Sequence, residues 1–125
     1  MRTWPAVPDS PYEKALGWVI DTFRAAGVAT NMGVALPHTL RDAGLRAGEA
    51  YVHCPLAGGP DHPTYTLFAH VLRSILPLME SYGIASAEEV GVEDYARRLS
   101  SQAVLHDAIG CCAPVVSAWA ATATV

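Results

Sequence analysis

Apolar residues return at three- and four-residue spacing over Leu16, Val19, Ile20 and Phe23, the pattern of a helix that turns one face to a core. Ahead of them, Ser10-Pro11-Tyr12-Glu13 reads as a capping box with proline at the first helical position: the serine hydroxyl accepts a free backbone N–H while Glu13 reaches back. Gly27 suits the left-handed conformation that ends such a helix, so the spacing predicts a helix over 11–26. Pro37 at a first-turn position, with Leu36, Leu40 and Ala43 on one face and Gly44 behind them, predicts a second, shorter helix, and 45–49 reads as a turn. Over 50–56 the period changes to two. Val52, Cys54 and Leu56 fall on one side and Tyr51 and His53 on the other, as in a strand with two unlike faces. Pro55 removes a ladder donor there, which places that strand at a sheet edge.

Gly58-Gly59-Pro60-Asp61 ends the strand, and Phe68, Val71, Leu72, Ile75, Leu76 and Met79 then form an apolar stripe that predicts a long helix over 63–82. Pro77 implies a kink or an early end. Ser86-Ala87-Glu88-Glu89 is another capping box, and Val90, Val92, Tyr95, Ala96 and Leu99 behind it predict one or two short helices. The remaining strand candidate covers 113–120, followed by a frayed Ala/Thr tail. Residues 1–9 thus read as an extension, 10–120 as one domain and 121–125 as a tail. The expected fold class is α+β, with helices packed on a small antiparallel sheet.

Several blocks of this order have a recognisable counterpart. Gly58-Gly59-Pro60-Asp61 with Pro63 and Tyr65, Arg73-Ser74-Ile75-Leu76-Pro77, the run from Gly83 to Val90, and Pro114-Val115-Val116-Ser117-Ala118-Trp119 closely resemble the C-terminal part of bacterial class I S-adenosylmethionine-dependent small-molecule methyltransferases. Phe23-Arg24-Ala25-Ala26-Gly27, Met32-Gly33, Leu36-Pro37 and Ala43-Gly44-Leu45 are similar to the helical stretch before that family's sixth strand, so the resemblance spans about 12–120. The family holds its cofactor in an N-terminal half, with a glycine-rich turn after the first strand and an acidic residue for the ribose. This chain contains neither. Gly58-Gly59 follows a late strand and precedes a proline. The resemblance therefore implies the substrate-covering, lid portion without the cofactor-binding half, with no methyl transfer of its own. S-adenosylmethionine would enter only if a partner chain supplies its site.

The resemblance also implies that the last two strands pair antiparallel and that the final strand keeps one free edge. An apolar edge invites pairing. The expected partner is a second protein subunit, or a second copy in a homodimer, joined through the last strand.

Composition narrows the partners further. Of 125 residues, 51% are hydrophobic and 16% charged, which suits one compact domain that gains from burying apolar surface on a partner. The net charge of −4 and the absence of a basic run argue against nucleic acid and anionic membranes as partners. No signal-peptide pattern and no long apolar run are visible, and the expected location is cytoplasmic. Cys54, Cys111 and Cys112 lack the spacing of a zinc site or a disulfide framework and read as reduced, mostly buried thiols; no metal is expected.

The candidate chemistry lies around the long helix. Asp61 stands at its start, where a carboxylate caps free N–H groups; in the functional alternative it touches an amine or hydroxyl of a ligand under the lid. His62, Thr66, His70 and Arg73 follow at spacings of four, four and three and so share one helical face. Such a face is either solvated or, with His62, His70 and Asp61 as acid/base groups, suited to cyclisation, elimination or isomerisation of a small-molecule substrate. Arg73 would clamp a carboxylate, phosphate or sulfate. Tyr65 belongs on the ligand side, and His53 on the first strand is a further binding candidate or simply exposed. Trp4, Trp18, Trp119, Tyr12 and Phe23 are read as core. Two functions stay open: a truncated methyltransferase-like subunit that completes a substrate pocket in secondary-metabolite biosynthesis, and a self-sufficient homodimeric acid/base enzyme or a small-molecule binder.

Overall fold

A computed structural model describes residues 2–3, 9–111 and 113–122. Trp4, Cys112 and the end of the Ala/Thr tail lie outside the described residues. The fold is α+β. In chain order it comprises β1 (Arg2–Thr3), α1 (Pro11–Ala25), α2 (Met32–Asp42), β2 (Arg46–His53), β3 (Leu56–Ala57), α3 (Pro63–Ser81), α4 (Ala87–Val90), a 3-10 turn (Val92–Asp94), α5 (Tyr95–Leu105), β4 (Ala108–Cys111) and β5 (Val115–Ala121).

Local chemistry sets the helix starts. The Ser10 hydroxyl accepts from the Glu13 N–H at 3.2 Å, and at α4 both halves of the capping box are present, the Glu89 carboxylate also accepting from the Ser86 N–H. Gly27 (φ 70°) and Gly44 (φ 76°) take the left-handed conformation after α1 and α2.

The core is built by α1, α3, α4 and α5. Ala15, Leu72, Met79, Val90, Tyr95 and Leu99 are essentially without solvent contact, and Tyr12 meets Phe68 with ring centroids 5.2 Å apart. Burying each large aliphatic side chain contributes about 1.5–3 kcal/mol, so the apolar stripe of α3 is the main source of cohesion. That stripe also explains why Pro77 does not bring the early end that the sequence offered as one outcome. Ile75 and Met79 on either side of it are buried, and α3 runs on to Ser81 despite one missing backbone donor.

There are two small sheets, where the sequence suggested one. In the first, β4 pairs parallel with β1 and antiparallel with β3. The second is the antiparallel pair β2–β5, with Val52 opposite Val116, Tyr51 opposite Ser117 and His53 opposite Val115. This is the expected pairing of the two longest strands. The bounds of β2 differ, however. It begins at Arg46, in the segment expected to be a turn, because a bulge between Ala47 and Ala50 absorbs Gly48 and interrupts the alternation. It ends at His53. Pro55 lies in neither sheet, and the chain crosses there from the second sheet to the first, where Leu56 and Ala57 pair with Cys111 and Gly110. Helix α2 starts at Met32, five residues before Pro37, and packs on the β2–β5 pair with Gly33 against Val116.

Candidate functional site

A groove of about 360 Å³ opens where the start of α3 faces α5, lined by Pro60, Asp61, His62, Pro63, Tyr65, Thr66, Ala96, Arg97 and Ser100. The sequence-derived candidates Asp61, His62, Tyr65 and Thr66 are brought together here. Arg97 and Ser100 were not foreseen, because only the packing of α5 against α3 carries them to the groove.

The helix cap is His62, not Asp61. His62 has the extended backbone of an N-cap (φ −80°, ψ 132°), and its Nδ1 accepts from the Thr64 N–H at 3.2 Å. The Asp61 carboxylate, one residue too early to bond that turn, lies exposed in the groove. An imidazole whose Nδ1 accepts a backbone hydrogen bond carries its proton on Nε2 when neutral. In this arrangement the neutral ring presents an N–H at Nε2. The cap bond thus commits Nδ1 and leaves Nε2 as the free ring nitrogen.

Tyr65 lines the groove. It is 4% exposed, and its hydroxyl donates to the Gly59 carbonyl at 2.8 Å, which ties the Gly58–Gly59 turn to α3. Its ring is a wall of the groove with a hydroxyl already engaged. Ser100 likewise donates to the Pro60 carbonyl at 2.6 Å, and Arg97 forks onto Asp94 at 2.6 and 2.7 Å. The groups at the groove that make no hydrogen bond among the described residues are Asp61 and the Thr66 hydroxyl.

The other candidates lie elsewhere. Arg73 is paired with Glu93 at 2.9 Å, both side chains well exposed, so it holds an intramolecular carboxylate and not an open clamp. His70 is exposed on α3 and does not line the groove. His53 is on β2, in the other sheet, opposite Val115. The shared helical face of His62, Thr66, His70 and Arg73 spans too much of α3 for a single groove at one end to use it.

The aromatic residues divide in the same way. Tyr12 is core and Trp18 and Phe23 are packed against it, but Trp119 is 57% exposed, since β5 turns it away from α2. Cys54 is half-buried and Cys111, at the end of β4, is exposed, contrary to the expectation for that thiol. Among the described residues no group of three His, Cys, Asp or Glu side chains comes together to hold a metal, and no helix is long and apolar enough to cross a membrane.

The Gly58–Gly59 turn lacks the setting of a glycine-rich cofactor turn. It follows an antiparallel two-residue strand, not the parallel strand of a βαβ unit, and the Gly59 carbonyl is taken by Tyr65. Comparison of the chain with protein-family models, with curated proteins and with solved structures gave no match.

Proposed function

We propose that the chain is a methyltransferase-like binding subunit with no methyl transfer of its own, which completes a sheet and a small-molecule pocket together with a second polypeptide. The observation that carries this reading is the state of the β2–β5 pair. Helix α2 packs on one face at Val116 and leaves Val52 there 67% exposed. The other presents Tyr51, His53, Val115, Ser117 and Trp119 to solvent, with Tyr51, Val115 and Trp119 each 57% exposed. Along β5 there is no charged residue and no proline, the usual devices that keep a free edge from pairing. The groove at Asp61, His62 and Thr66 supplies polar contacts to a ligand oxygen or amine, in keeping with a pocket wall more than with a complete catalytic centre. Secondary-metabolite biosynthesis is the setting that the sequence resemblance supports.

The test is the solution mass by light scattering, alone and with candidate proteins encoded nearby. A defined heterocomplex that Val115→Lys abolishes, with the circular dichroism unchanged, is the expected result. A stable monomer that binds none of the candidates overturns it. A tight homodimer would move the assignment to the self-sufficient enzyme or binder.

A further inference from the structure

A second cavity, about 430 Å³, lies where the start of α1 meets α4 and α5, and it shares no lining residue with the groove at α3. Its walls carry Lys14 and Arg98, Asp9 and Glu89, and the rings of Trp18 and Tyr95. Two contacts fix the Arg98 guanidinium. Nη2 donates to the Val90 carbonyl at 2.7 Å, and the carbon centre stands 4.4 Å from the centroid of the Tyr95 ring. Tyr95 is held in turn by its hydroxyl bond to the Pro11 carbonyl and by the edge of Trp18, with centroids 6.1 Å apart. Nε of Arg98 is buried and has no acceptor among the described residues. A buried N–H with no partner is uncommon and marks a place where an acceptor is missing.

The four charged groups around this cavity are unpaired with one another: neither cation forms an ion pair with either carboxylate among the described residues. Glu89 uses one oxygen to accept from the Ser86 N–H, and the other is uncommitted. A simple anion entering the cavity would meet Asp9 and Glu89, and a simple cation would meet Lys14 and Arg98. A molecule with both signs satisfies both sets. We propose that this cavity binds a zwitterionic aminocarboxylate with an apolar or aromatic side chain, such as a free α-amino acid. The carboxylate goes to Arg98 and Lys14, the ammonium to Asp9 and Glu89, and the side chain against Trp18. The volume is in the range of small-molecule sites, and a guanidinium held over a ring and by a backbone carbonyl is restrained in position for a carboxylate. The site is independent of any association through β5.

The experiment is calorimetric or NMR titration of the full chain with L-phenylalanine, L-leucine and L-tyrosine, with phenylacetate and phenethylamine as single-charge controls. At least one amino acid should bind, with a Kd of about 1 mM or tighter, and about tenfold more tightly than either control. Lys14→Gln, an exposed position on α1, should weaken binding severalfold with the melting temperature unchanged, and Arg98→Lys should weaken it further because the fork is lost. Absence of saturable binding for all three amino acids overturns the proposal. So does equal affinity for phenylacetate, or for phenethylamine, or an affinity that Lys14→Gln leaves untouched.

Discussion

Gly48 lies directly beneath the indole of Trp119: a methyl group in place of its hydrogen would stand 2.5 Å from the ring. The two face each other across the β2–β5 pair at the bulge, and the ring covers a stretch of backbone that has no side chain of its own. Gly48→Ala should therefore push the indole outward at a cost of about 1–3 kcal/mol. Trp119→Ala alone should cost about 0.2–1 kcal/mol, the usual worth of a cross-strand contact. In the Trp119→Ala background, Gly48→Ala should become neutral or slightly stabilising. Urea unfolding of the four proteins measures the coupling, and additive effects would mean that the ring does not sit over the glycine.

A matching close approach holds α2 to the other face. A Cβ at Gly33 would come within 2.7 Å of Val116 Cγ2. Alanine is a better helix former than glycine by about 1 kcal/mol, so an exposed Gly33 would gain from the change. Here Gly33→Ala should instead destabilise the protein, since the helix must lift from β5, and Val116→Ala should restore most of the loss. A simple gain of stability in the single variant would show that α2 is not seated on Val116.

These two contacts also mark what the sequence could and could not reveal. Elements set by nearby residues are legible: Ser10 and Ser86 accept the N–H groups their spacing predicts, and the stripe from Phe68 to Met79 is the buried face of α3. Elements set by distant partners are not. Strand β4, Ala108–Cys111, has too few residues for a period, and it exists because Leu56–Ala57 and Arg2–Thr3 pair with it. The first turn of α2 lies against Val116, and the bulge in β2 lies against Trp119, neighbours that are distant in sequence. In the candidate site the residues next to the α3 start were legible as neighbours, whereas Arg97 and Ser100 arrive from α5. That His62 and not Asp61 caps α3 was not legible, because an imidazole cap is a rare solution that residue preferences do not favour.

Arg73 offers a direct check on the side chains already engaged. Its bond to Glu93 is between two exposed groups, and such pairs contribute about 0–1 kcal/mol. Arg73→Ala should lower stability by no more than that, and Glu93→Ala should produce the same small change without adding to it. Tyr65→Phe, by contrast, removes the donor to the Gly59 carbonyl and should cost about 1 kcal/mol. A large loss of ligand binding in Arg73→Ala, with stability intact, would return that residue to the site.

Tyr95 makes stability sensitive to alkaline pH. Burial pushes its phenol up to about 12 from 10.0, against the opposing pull of the Arg98 guanidinium beside it. Below pH 10 the folded and unfolded chains both keep the proton, and the full contribution of the buried phenol is present. Between pH 10 and about 12 the unfolded chain gives up the proton while the folded one retains it, so stability falls with rising pH. One proton corresponds to a slope of at most about 1.4 kcal/mol per pH unit. Tyr95→Phe should lose about 0.5–1.5 kcal/mol near neutral pH, since the Pro11 carbonyl is left without its donor. The same variant should also show a shallower alkaline fall in urea midpoint than the parent. Tyr51, whose phenol is also raised, by its hydrogen bond to Glu49, is exposed on β2 and serves as the control. Tyr51→Phe should leave most of the alkaline slope in place, and the opposite ranking of the two variants would show that Tyr95 is not the group that titrates on unfolding.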